Sequence, residues 1–389
     1  MNNKYRILIF DYLVSGHHLE YLNHLYKKAL QYQEKKFIFV LPLNFTEVKD
    51  KLSWPDAINI TIHLEDFSKI NKTSGLIKSF RLSQLLKSNI KKFKITHIFL
   101  ISLMSFLPTL PFIMNSKVKI SGIIYLIYLY RWKNEGSLPK LQDAFKYLLF
   151  TKMKSFHEIF ILNDALSARY LNIKFKTNKF KYLPDPFIPI PEDKIKNIRE
   201  KLNILPNKTV FLHFGGLSRR KGTIDILEAL ELLPTSQLDN LCFIFAGKVY
   251  DDISTEFYEK LNKQKERVQI LCFDEFCEYT FLGSLCLSCD FILIPYKATA
   301  QSSGALGFAA QFNKPVIAPN DNLLGKLVRK FNLGFTIKNI TPKSLSLFIK
   351  EEMFLINKSK KSDYLRINSI ENFTNSIFSK LTNKQETLQ

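Results

Sequence analysis

Two stretches of the 389-residue chain gather the residues best suited to a phosphorylated ligand. In Phe211–Leu230 (FLHFGGLSRRKGTIDILEAL) an apolar run ends at Gly215 and Gly216, a short basic loop follows, and a helical pattern starts beyond Gly222. Arg220 and Lys221 at such a strand-to-helix junction can offset the charge that grows on a departing phosphate. The same residues also suit an ordinary glycine turn with a solvated basic loop. In Phe291–Pro319 (FILIPYKATAQSSGALGFAAQFNKPVIAP) Ser302, Ser303 and Gly304 stand where a helix is predicted to start. Free N–H groups and the positive end of a helix attract anions, and small residues let a diphosphate come close. A serine cap explains one of these serines, whereas the whole small polar run favours anion binding.

A third cluster, Gly16-His17-His18 with Glu20 nearby, follows the first apolar run. A neutral histidine at a strand-to-helix turn can accept a proton from a hydroxyl, or can simply cap the helix expected to begin near Leu19. Cys272, Cys277, Cys286 and Cys289 lie within eighteen residues, and Cys286-x-x-Cys289 admits a zinc reading. That pair falls on a predicted helix and its exit with no histidine near, which suits small buried side chains better. No metal and no cofactor are expected. No close pair of carboxylates of the kind hydrolases use is evident.

The elements that must position these residues alternate strand and helix, which implies α/β architecture with parallel sheets covered on both faces. In the first half these are strand 6–10, a helix from 19 to 33, strand 36–41, a buried strand 95–101, a core strand over Ser121–Tyr130 and strand 157–162, after which Asn163 and Asp164 can cap a helix. Tyr182–Pro191 (YLPDPFIPIP) has four prolines in ten residues and reads as a stiff linker. The alternation then restarts with strands 210–214, 241–246, 268–272, 291–295 and 315–318 and helices 223–233, 255–265, 279–288 and 305–312. We expect two doubly wound Rossmann-like domains facing across a cleft, 1–185 and 186–365, with a helical tail at 366–389 that packs back on the first domain.

Composition narrows the class. With 46% hydrophobic and 23% charged residues the chain is globular, neither disordered nor fibrous. Five cysteines without disulfide spacing and a start that lacks a cleavage site suit the cytoplasm. The net charge of +21 is uneven: residues 1–190 hold 29 Lys+Arg against 13 Asp+Glu. Such a face attracts an anionic membrane leaflet or nucleic acid, although the chain carries no nucleic-acid recognition motif. His97–Met114 tempts a membrane-spanning reading, but Pro108 and Pro111 interrupt it.

The stretches HFGGLSRRKGTIDILEAL, FIFAGK, SCDFILIPY and SSGALGFAAQFNKPVIAP, in this order and spacing, resemble the carboxyl-terminal domain of retaining glycosyltransferases of the GT-B fold, the family 4 group. ILIFDYLVSGHHLEYLNHL and the YLPDPF linker extend the resemblance more thinly into the first half. It implies that Arg220 and Lys221 clamp a donor diphosphate, that Ser302, Ser303 and Gly304 make its second contact, and that Gly16 belongs to a glycine loop near the donor. Gly215 and Gly216 would flank these, and Gly247 and the loop after Cys272 would border the nucleoside. The histidine that the family often has near the reacting centre is replaced in Ser121–Trp132 by tyrosines and Arg131; from the residues themselves, His17 would touch the donor and His18 would act at the reacting centre. The implied activity is metal-independent transfer of a sugar from a nucleotide-sugar to an acceptor hydroxyl with retention. The acceptor would be a glycan or lipid-linked acceptor of surface polysaccharide or glycolipid synthesis, met at the inner membrane face. The family usually shows two glutamates eight positions apart; here Ala300 and Phe308 occupy those places. An inactive GT-B scaffold that binds a nucleotide-sugar or a partner is therefore the first alternative, and a basic nucleic-acid-binding protein the second.

Overall fold

The computed structural model describes residues 5–114, 117–125, 136–352 and 362–382. The first half builds β1 (Arg6–Phe10), α1 (His17–Ala29), β2 (Lys36–Pro42), β3 (Ile60–Glu65), α2 (Gly75–Phe93), β4 (His97–Leu100), β5 (Lys119–Ile124), α3 (Ser137–Lys152), β6 (Phe156–Leu162), α4 (Ala165–Phe175) and β7 (Phe180–Leu183). The seven strands are parallel in the order β3-β2-β1-β4-β5-β6-β7. A strand covered on both faces must be apolar throughout, and β1 shows why: Leu8 and Phe10 enter one core while Ile7 and Ile9 enter the other.

Several local expectations change. α1 starts at His17, two residues before Leu19, so both histidines sit in its first turn, and neither caps it; Gly16 holds the N-cap position. Asp164 does cap α4, accepting the Ser167 N–H at 2.9 Å. β4 is only four residues long, because the chain turns through Leu103–Phe106 and a short helix at Leu110–Ile113. No helix among the described residues is long and apolar enough to cross a membrane. β5 ends at Ile124; residues 126–130 of the expected strand, and Arg131, lie outside the described residues. Tyr182 and Leu183 pair with β6 in β7, so the proline-rich segment governs the backbone only from Pro184.

The second half builds β8 (Thr209–Phe214), α5 (Thr223–Glu231), β9 (Leu241–Ala246), α6 (Ser254–Lys265), β10 (Gln269–Phe273), α7 (Tyr279–Ser288), β11 (Phe291–Leu293), α8 (Ala305–Phe312), β12 (Val316–Pro319), α9 (Asn322–Lys330) and β13 (Gly334–Ile337). Its six strands are parallel in the order β10-β9-β8-β11-β12-β13. β11 stops two residues before Pro295, earlier than the apolar run suggests. α9 and β13 are additional elements that extend this sheet.

After this sheet the chain forms α10 (Ile370–Thr382), whose contacts lie with the first half. The compact units are Met1–Pro186 with Ile370–Gln389, and Phe187–Ser369. The two crossing points run side by side, since the Phe187 N–H donates to the Asn368 C=O at 2.9 Å. Phe373, Ile377, Phe378 and Leu381, on one face of α10, are buried in the Ile7/Ile9 core. Phe378 stacks on Tyr32 at 5.3 Å and meets Phe37 at 5.7 Å. Removing a fully buried phenyl costs about 3–5 kcal/mol. Phe378→Ala is therefore expected to lower the urea midpoint of the first unit strongly, whereas Ser379→Ala on the exposed face leaves its stability within about 0.5 kcal/mol of the wild type. Tryptophan fluorescence reports on this unit through Trp54, which is buried in its core; the other tryptophan, Trp132, lies outside the described residues.

Candidate functional site

In a doubly wound sheet, ligands settle at the carboxyl ends of the two central strands whose onward connections leave in opposite directions. Those pairs are β1 and β4 in the first unit and β8 and β11 in the second. In the second unit the loop after β8 is built by close backbone contact. Gly247, at φ 137°, lies so near Gly215 that a Cβ on it would stand 2.2 Å from the Gly215 carbonyl oxygen. The Gly215 N–H donates to Ala246 C=O at 2.9 Å, and Leu217 N–H to Lys248 C=O at 2.8 Å, which continues the β8–β9 pairing beyond the strands. Gly216 faces Tyr250, whose hydroxyl would be 2.8 Å from a Cβ there.

The loop is stapled to the sheet by a buried histidine that the sequence reading passed over. His213 on β8 donates from Nδ1 to the Leu293 C=O at 2.9 Å, so its Nε2 accepts from the Thr223 hydroxyl at 3.0 Å. Thr223 Oγ1 in turn accepts the Ser218 N–H at 3.1 Å. One side chain thus ties the ends of β8 and β11 to both sides of the basic loop. Burial lowers the pKa of His213 to about 4, so it is neutral at pH 7. The signal in the sequence was a single polar residue inside an apolar strand.

Within this frame the structure gathers Gly215, Gly216, Lys221, Gly247 and Ser303 at the carboxyl end of the sheet. Lys221 points its ammonium at Gly215, where a Cβ would stand 2.5 Å from Nζ, and that ammonium lies 5.3 Å from the Tyr296 ring centroid. Tyr296 Oη is 3.3 Å from the Ser303 hydroxyl, and Ser303 Oγ accepts the Ala305 N–H at 3.3 Å. Ser302 is half-buried and Gly304 exposed; no side chain caps α8, whose N-cap position is Gly304. Arg220 is exposed, and its carbonyl accepts the Lys297 N–H at 2.9 Å. Arg219, its neighbour, is engaged elsewhere, 2.6 Å from Glu256.

Phe308 is buried among Phe187, Phe214 and Tyr279, with ring centroids 5.2 to 5.9 Å away. A carboxylate in its place would lose its hydration in an apolar aromatic cluster, so the missing glutamate is matched by its surroundings. Gly307 makes room for Phe187, whose ring a Cβ would meet at 2.0 Å. Cys286 and Cys289 are fully buried, and burial raises both thiols, that of Cys289 to about 12.

At the carboxyl end of β1 in the first unit, Gly16 adopts φ 56° with open space around it, so its backbone rather than crowding requires glycine. His17 is largely exposed, 3.5 Å from Glu20. His18 lies 2.6 Å from Asp11, a fully buried carboxylate that the sequence reading missed, although it is an acid directly after an apolar strand. Tyr21 donates to Asp185 at 2.5 Å and stacks on Tyr125.

The sequence matches no protein-family model and no curated protein. Solved structures do match the fold along nearly the whole chain. HepE from Anabaena, solved with UDP and glucose, superimposes with a TM-score of 0.66 at 17% identity, over 97% of this chain and 99% of its own. An alpha,alpha-trehalose-phosphate synthase (UDP-forming) from Burkholderia vietnamiensis gives 0.68 at 8% identity, over 97% and 99%. WaaG, a glycosyltransferase involved in lipopolysaccharide biosynthesis, gives 0.61 at 15% identity, over 96% and 97%. These neighbours are GT-B glycosyltransferases, and the two Rossmann-like domains of this chain have their fold.

The His213 staple carries a pH signature. Its pKa is about 4 folded against the usual 6.5, so the unfolded chain binds the extra proton between those values. The stability it contributes is complete above pH 6.5 and is withdrawn as pH falls toward 4, by roughly 3 kcal/mol. Calorimetry across this window is expected to show His213→Gln less stable than the wild type at pH 7, with a shallower decline on acidification.

Proposed function

We propose that the chain is a glycosyltransferase that moves a sugar from a nucleotide-sugar to an acceptor hydroxyl, with retention and without a bound metal. The observation that carries the reading is the Lys221 ammonium, held against the glycine loop at the end of β8 and over the ring of Tyr296, whose hydroxyl meets Ser303 ahead of α8; Arg220 adjoins it on the same short basic turn. A departing diphosphate needs positive charge that is already in place when the bond breaks. The two side chains and the amide groups at the start of α8 supply it at one end of one sheet. With no carboxylate at Ala300 or Phe308, these groups bear the donor's charge and the protein's remaining task is to orient two substrates.

HepE is solved with UDP-glucose and the Burkholderia synthase is UDP-forming, which makes UDP-linked sugars the first donors to try. WaaG's place in lipopolysaccharide biosynthesis, and the excess of Lys and Arg in residues 1–190, support an acceptor of surface polysaccharide or glycolipid synthesis at the cytoplasmic face of a membrane.

A ligand that binds only the native state raises its melting temperature. In a panel of UDP-, GDP-, ADP- and CMP-sugars, one nucleotide class is expected to raise the melting point. Arg220→Ala and Lys221→Ala should each weaken that binding about tenfold or more, the loss of roughly 1.4 kcal/mol. No rise with any nucleotide-sugar at millimolar concentration would overturn the donor site, and a rise without sugar transfer would favour the inactive scaffold.

A further inference from the structure

Asp11 follows β1 at the centre of the first sheet and is fully buried. Its Oδ1 accepts the Leu13 N–H at 3.2 Å, and its Oδ2 lies 2.6 Å from Nδ1 of His18. Burial raises the carboxyl above its ordinary range, and the histidine contact pulls it back. A buried carboxylate persists only where its oxygens are hydrogen-bonded, so the ring turns an Nδ1–H toward Asp11. In the neutral ring that tautomer leaves Nε2 with a bare lone pair.

Nothing among the described residues fills that lone pair. The His18 side chain is 19% exposed, and its Nε2 has no hydrogen-bond partner among the described residues. The Tyr125 ring lies 5.6 Å from His18 and is stacked on Tyr21, 2° from parallel, while Tyr21 is anchored by Asp185. The imidazole is therefore held on one nitrogen, faced by the Tyr125 ring, and without a partner among the described residues on the other nitrogen. His213 in the second unit shows what a structural histidine looks like, with both nitrogens satisfied and no exposure. His18 differs in the one respect that matters for a ligand.

We propose that His18 Nε2 accepts a hydrogen bond from a sugar hydroxyl, and that Asp11 is the positioning residue that fixes its tautomer. The assignment of the ligand rests on the transferase reading; the role of Asp11 does not. A histidine whose carboxylate partner becomes an amide loses its enforced tautomer, because the amide can offer a donor as well as an acceptor.

The test is long-range proton–nitrogen NMR of histidines in the 15N-labelled full chain at pH 7.5, with His18 assigned through His18→Gln. The expected spectrum has His18 protonated at Nδ1 and bare at Nε2, with that pattern lost in Asp11→Asn. Glucose or UDP-glucose should then move the Nε2 resonance upfield. A bare Nδ1 in the wild type overturns the Asp11 role, and this spectrum decides it even if the variant fails to fold. An unchanged pattern in a folded Asp11→Asn overturns it equally. An Nε2 resonance unmoved by either sugar, while the same sample melts higher with UDP-glucose, overturns the ligand assignment. If UDP-glucose raises neither the melting point nor the Nε2 shift, the transferase reading and its sugar ligand fall together, and the tautomer still decides Asp11.

Discussion

The constraint on which the rest depends is the reversal of winding at the middle of each parallel sheet. Where β1 meets β4, and β8 meets β11, the onward connections leave for opposite faces, so the carboxyl ends of the central pair are not roofed by a crossing chain. Backbone N–H groups and the residues just beyond those strands are left to meet a ligand. Asp11 and His18 occupy that place in one unit, and the Gly215–Lys221 loop with Tyr296 and Ser303 in the other.

What surrounds those ends is unusually particular about size and charge. Gly247 and Gly215 touch backbone to backbone, and Gly222, at φ 70°, would drive a Cβ to 2.2 Å from the Pro295 carbonyl oxygen. These contacts bring the basic loop down onto the strand ends and fix where the Lys221 ammonium sits. The His213 network does the same from beneath, with a neutral imidazole, so no buried charge competes with the cations above it. Arg219 illustrates the converse: its pairing with Glu256 takes it out of the group, although it stands beside Arg220 in the sequence.

The two histidine environments divide the labour in a way the residue type does not announce. Full burial and two partners make His213 a fastener. One buried carboxylate, and a second nitrogen with no partner among the described residues, leave His18 able to meet a ligand. Phe308 follows the same logic, since three aromatic neighbours make its site hospitable to a phenyl ring and hostile to a carboxylate.

The sequence by itself determined the fold class and most of the strands, because residues buried on both faces of a parallel sheet must be apolar in unbroken runs, as in Arg6–Phe10 and Leu241–Ala246. It also pointed to the glycine loop and the small polar run before α8, since small residues beside free N–H groups at a strand-to-helix junction suit an anion. Only the tertiary structure decided which polar residues meet. Asp11 and His18 are seven apart, and His213 reaches both Thr223 and Leu293; hydropathy carries no trace of such pairings. It likewise decided that α10 joins the first unit, because an amphipathic helix records that it has an apolar face and not which core that face will enter.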